Sequence, residues 1–65
     1  MHLALQVRNR RYMLSLTQEQ LAEKINCHVN YLGGIERAER NLSLILLIAL
    51  AKGLECTLKD LLPQY

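Results

Sequence analysis

Cys27 and His28 are neighbours in this chain of 65 residues, and a second thiol, Cys56, lies far along it. Thiols beside an imidazole raise metal binding or nucleophilic catalysis first, yet the spacing supports neither. Adjacent residues at a helix start point in different directions. There is no CxxC or Cys/His ligand spacing, no paired carboxylates and no glycine-rich phosphate loop. Both cysteines stand in apolar surroundings and read as reduced core thiols, so no catalytic residue, metal or cofactor is expected. Charge is the remaining chemistry. Arg8, Arg10, Arg11, Lys24, Arg37 and Arg40 all fall in the first forty residues, whereas the stretch from Leu42 onward is nearly neutral. A net charge of +2 is small, so its placement matters more than its size. The asymmetry suits a nucleic-acid partner and equally suits solvated helix faces.

The elements that must carry these arginines are helices. Hydrophobic residues make up 51% of the chain, with neither Trp nor Phe; Leu and Ile dominate, as in short helices packed side by side. One all-α domain over residues 1–65 is expected, near the lower size limit for an unaided core. No signal peptide is expected, because arginines interrupt the N-terminal apolar run. The uncharged run from Leu42 to Ala51 is far short of the ~20 residues a membrane span needs. A cytoplasmic protein with no membrane partner follows.

Local signals set the helix boundaries. Leu3, Val7 and Leu14, with Ala4, predict a first helix over about 2–13. Thr17 followed by Gln20 is a capping box, with Leu16 and Leu21 at the staple positions, so a second helix starts at Thr17. It should end near Asn26, which suits a left-handed turn. Tyr31, Leu32 and Ile35 predict a third helix from about His28 to Arg37. Ser43 caps a fourth through Lys52, and Thr57 with Asp60 opens a short fifth that Pro63 ends. The second and third helices, close in sequence, form a helix-turn-helix candidate.

The stretch "LTQEQLAEKINCHVNYLGGIERAERNLSL" resembles the Cro/repressor-type (lambda-repressor-like) helix-turn-helix family. "GIERAERNLS" and the later "KGLE" are most similar to the controller proteins of restriction-modification systems. The resemblance covers about residues 5 to 62 and implies a compact five-helix DNA-binding domain that regulates transcription. Asn26 stands where the family usually has its turn glycine, and Ala38 where a glycine follows "IER". The resemblance also implies that Gln18, Tyr31, Arg40 and Asn41 contact the DNA backbone and that Arg11 pairs with Glu36. His28 either caps the third helix or reaches a phosphate.

At about 100° per residue, Tyr31, Leu32 and Ile35 face the core, leaving Val29, Asn30, Gly33, Gly34 and Arg37 outward. Outward is where a recognition helix meets the major groove. Gly33 and Gly34 would then bare the backbone for close approach to a base step or phosphate at Gly34; the alternative is that they relieve crowding against the second helix. Base reading falls to Asn30 on adenine, Val29 on a thymine methyl and Arg37 on guanine or phosphate.

The fourth helix is apolar nearly all round. Leu44, Leu47, Ile48 and Ala51 are expected in the core, with Ile45, Leu46 and Ala49 outward and needing a cover. Leu58, Leu61, Leu62 and Tyr65 would continue that patch. A homodimer reading an inverted repeat of double-stranded DNA accounts for it. A competing possibility is a protein-interaction module of the same fold, antitoxin-like, using helix 43–51.

Overall fold

The computed structural model describes residues 2–40 and 42–61, and every regular element among them is a helix. The helices are α1 (His2–Met13), α2 (Gln18–Lys24), α3 (Val29–Glu36), α4 (Leu44–Gly53) and α5 (Leu58–Leu61). Pro63 lies outside the described residues.

Side-chain caps start four of the five. Thr17 and Gln20 form the reciprocal capping box, His28 Nδ1 accepts from the Asn30 amide, and Ser43 Oγ accepts from the Leu46 amide. Before α5, the Thr57 hydroxyl accepts from the Asp60 amide, while Asp60 Oδ2 accepts from the Thr57 amide. Donation to Asp60 Oδ2 from the Thr57 amide, and from the Thr57 hydroxyl, holds the Asp60 carboxyl below its ordinary pKa.

The helix exits are equally regular. After α1, α2, α3 and α4, one residue takes a left-handed conformation: Ser15, Asn26, Ala38 and Glu55, with φ between 57° and 60°. At each exit that residue and its successor donate back to the last turn, as Ala38 does to the Ile35 carbonyl and Glu39 to that of Gly34. This is the Schellman closure, which usually employs glycine. The three glycines of the chain instead all lie inside helices.

The core joins Val7 of α1, Leu21 and Ala22 of α2, Leu32 and Ile35 of α3, Leu50 and Ala51 of α4, and Leu61 of α5. α3 packs against both α1 and α2, and α5 fastens α4 to α1. Cys27 and Cys56 are half-buried free thiols against this core, and burial pushes both thiols up in pKa, away from the reactive thiolate.

The fourth helix departs from expectation in its rotation. Leu44 and Ile48, expected in the core, are exposed, whereas Leu46 and Ala49, expected outward, are half-buried and pack on the core. A Cβ at Gly53 would stand 2.7 Å from Ile25 Cγ2 and 3.3 Å from Leu21 Cδ1. This close approach at the end of α2 lies on the inward side of α4, which carries Leu46 and Leu50 and continues into the cap residue Leu54. Ile45 is the most exposed of the outward residues, at 81%. Leu61, expected on the outer patch, is fully buried, because α5 packs on both α4 and α1 and turns this residue into the core they share. Leu58 is half-buried against the core, and Leu62 and Tyr65 lie outside the described residues. No helix among the described residues is long and apolar enough to cross a membrane.

Candidate nucleic-acid interface

The centre of the α1–α2–α3 assembly is Glu36, the last residue of α3, 3% exposed. Its Oε2 accepts from Arg11 Nε at 2.7 Å; its Oε1 accepts from Arg11 Nη2 at 2.9 Å and from Gln18 Nε2 at 3.3 Å. Arg11 Nη1 also donates to the Leu16 carbonyl at 2.9 Å. The guanidinium is thus gripped on two edges, and its pKa is raised, chiefly by the hydrogen bond to Glu36 against the opposing effect of burial. Pairing neutralises an acid that would otherwise repel a polyanion from this surface.

Arg8 adds a bond that charge placement alone does not reveal. Its Nη2 donates to the Glu36 backbone carbonyl at 2.8 Å, capping the C-terminal end of α3. The available signal is the spacing of three from Arg11, which puts both arginines on one face of α1. Arg8, Arg11 and Gln18 together fasten α3 to α1 and α2 through one residue.

The outer side of α3 is more crowded than the sequence suggests. Asn30 is exposed; Val29 is half-buried and packs on the core, so only part of it remains on the surface. Tyr31 is half-buried, with the Arg40 guanidinium carbon 5.5 Å from its ring centroid. Arg37 is exposed, closes the C-terminus of α3 and donates from Nε to Glu39 Oε2 at 3.1 Å. Asn41 lies outside the described residues. His28 uses Nδ1 to cap α3, at 3.0 Å from the Asn30 nitrogen.

Both glycines are buried, contrary to the expected bare backbone. They do point outward by rotation, but arginine side chains lie over them. A Cβ on Gly33 would be 3.1 Å from Arg37 Nη1 and 3.8 Å from Gln18 Oε1; one on Gly34 would be 2.8 Å from Arg40 Cγ and 3.3 Å from its Nε. Gly34 therefore meets Arg40 before it could meet a ligand. Relief of crowding against α2 accounts only for the Gln18 contact at Gly33.

The arrangement suits recognition of a polyanion rather than bond chemistry. Exposed Asn30, Arg37 and Arg40 surround a short, firmly held helix, and among the described residues no three of His, Cys, Asp and Glu converge on a metal site.

Comparison with known proteins agrees with this geometry. The sequence profile of the family described as Helix-turn-helix matches residues 7–61. Control protein C.SmaI of Serratia marcescens is 48% identical over 62 residues, spanning 95% of this chain and 74% of that protein. The restriction-modification controller protein C.AhdI of Aeromonas hydrophila superposes with a TM-score of 0.91 at 33% identity, covering 94% of this chain and 92% of that one. The wild-type restriction-modification controller protein C.Esp1396I gives 0.82 at 38% identity, with coverages of 86% and 73%.

Proposed function

Since the chain belongs to the Helix-turn-helix family, among the restriction-modification controller proteins, we propose that it is a transcriptional regulator that binds double-stranded DNA sequence-specifically as a homodimer. Its targets are the genes of a restriction-modification system, and it acts in the cytoplasm. The observation that carries this reading is the Glu36 junction, which holds α2 and α3 in fixed relation while Asn30, Arg37 and Arg40 stay on the surface.

α3 lies in the major groove with its N-terminal residues toward base edges. Asn30 reads adenine, the exposed part of Val29 touches a thymine methyl and Arg37 reads guanine. Gln18, Tyr31, Arg40 and Asn41 hold the backbone, as does His28 through the helix start it caps. Each unit reads only a few base pairs, too few to stand out against genomic competitors, so two copies read an inverted repeat. Leu44, Ile45 and Ile48, exposed on α4, supply the apolar face for that pairing.

The same apolar face supports a second reading, a module that binds another protein and no DNA. Salt separates the two, because phosphate binding weakens steeply with ionic strength and apolar contact barely responds. Selection of bound sequences from random duplexes, at low and at physiological salt, tests the proposal. Enrichment of an inverted repeat that is lost at high salt is expected; no enrichment at either salt overturns it.

A further inference from the structure

Gly33 and Gly34 lie beneath two arginines that start from different places in the chain. Arg37 closes α3, and Arg40 stands beyond the Schellman turn at Ala38, yet both side chains return over the helix they follow. Arg40 is held on two sides: its Cγ and Nε rest over the Gly34 backbone, and its guanidinium lies over the Tyr31 ring. Arg37 Nη1 rests over Gly33, beside Gln18 Oε1.

We propose that the glycine pair seats these arginines, Gly34 acting as a positioning residue that holds the Arg40 guanidinium against Tyr31 for a DNA phosphate, and Gly33 more weakly seating Arg37 for the guanine it reads. The inference rests on the DNA-binding reading above. It replaces approach of bare helix backbone to DNA with pre-organisation of two long cations, whose freedom is otherwise lost on binding.

The two seats differ in how much a methyl group would disturb them. At Gly34 the added Cβ would stand 2.8 Å from Arg40 Cγ, near the root of that side chain. Arg40 must then swing away as a whole, out of reach of the Tyr31 ring. At Gly33 the 3.1 Å neighbour is Arg37 Nη1, the far end of a flexible side chain, which can move a few tenths of an ångström. Gly34→Ala should therefore matter more than Gly33→Ala.

Two measurements on the full chain test this. By NMR of the free protein, the Arg40 side-chain protons should carry a ring-current shift from Tyr31, lost in Gly34→Ala while circular dichroism remains helical. In DNA titrations, Gly34→Ala should weaken binding roughly tenfold, the scale of one charge-assisted hydrogen bond. In an Arg40→Ala background the same change should weaken it less than about twofold, because the seat then has no occupant. Equal weakening in both backgrounds would overturn the seat in favour of direct backbone contact with DNA. Unchanged Arg40 resonances in Gly34→Ala would overturn it without reference to DNA. A wild-type protein that binds no duplex would refute the DNA reading, and with it the phosphate-directed role, while the resonances still decide whether Gly34 seats Arg40.

Discussion

Arg11 and Glu36, 25 positions apart, meet through two hydrogen bonds of 2.7 and 2.9 Å with both side chains almost wholly buried. A pair so far from water gains its Coulomb energy only after a large desolvation cost, so its presence says little about net stability. Breaking it is another matter. Glu36→Ala should lose about 3–5 kcal/mol, because Arg11 would remain buried without its carboxylate, keeping the Leu16 carbonyl and the Tyr12 ring as partners. Arg11→Met with Glu36→Leu should recover most of that, as urea titrations of the single and double variants will report. Additive losses would mean the two groups are energetically independent.

Ala38 has a φ of 60°, where a Cβ costs roughly 1–2 kcal/mol. Glycine removes that strain but gains more freedom in the unfolded chain. Ala38→Gly should therefore stabilise by a net ~0.5–1 kcal/mol. For a domain of this size each kcal/mol moves the melting temperature by about 4–8 °C. A calorimetric scan showing a lower Tm would contradict the account.

Gly53 calls for the opposite sign. Alanine is favoured over glycine by about 1 kcal/mol within a helix. At this position, however, the methyl would press on Ile25 and Leu21, both in the core. Overpacking of that kind costs about 1–3 kcal/mol, so Gly53→Ala should lower stability despite its better propensity. An increase in the denaturant midpoint would show that α4 can slide on α2 without loss.

Ile45, at 81% exposed, contributes almost nothing to the monomer core. Ile45→Glu should leave helicity and melting of the single unit nearly unchanged, abolish self-association in sedimentation velocity and weaken operator binding by orders of magnitude. Leu46 is a poorer probe, because it is half-buried against the core. A wild-type protein that sediments as a monomer at micromolar concentration would refute the homodimer.

Helix starts are legible where a cap and a partner side chain stand three residues apart, Thr17 with Gln20 and Thr57 with Asp60, and at Ser43 from the capping residue type alone. Asn26 was legible as a left-handed exit because asparagine tolerates that conformation; Ser15, Ala38 and Glu55 adopt it without such a signature. The rotation of α4 was not legible, since a helix apolar on every side has no preferred face, and the close approach of Gly53 to the end of α2 exists only in the folded chain. The site shows the same division. Arg8 reaches a carbonyl 28 positions away. The glycine pair looked bare because the side chain that covers Gly34 starts six residues later, beyond the helix end.

The contact at Gly53 also bears on distance along DNA. α4 meets the α2 end there with its bare backbone against Ile25 Cγ2, Leu21 Cδ1 and Lys24 Cβ. That contact, with the packing of α2 on α3, relates the outer face of α4 to α3. In a two-fold pair built on that face, the separation of the two α3 helices is a constant of the fold. DNA of about 10–10.5 base pairs per turn rotates by roughly 35° with each added pair. One extra base pair between half-sites would thus put the second out of angular phase. If two copies pair on that face, the half-site spacing that an operator can offer them is set where Gly53 lacks a side chain.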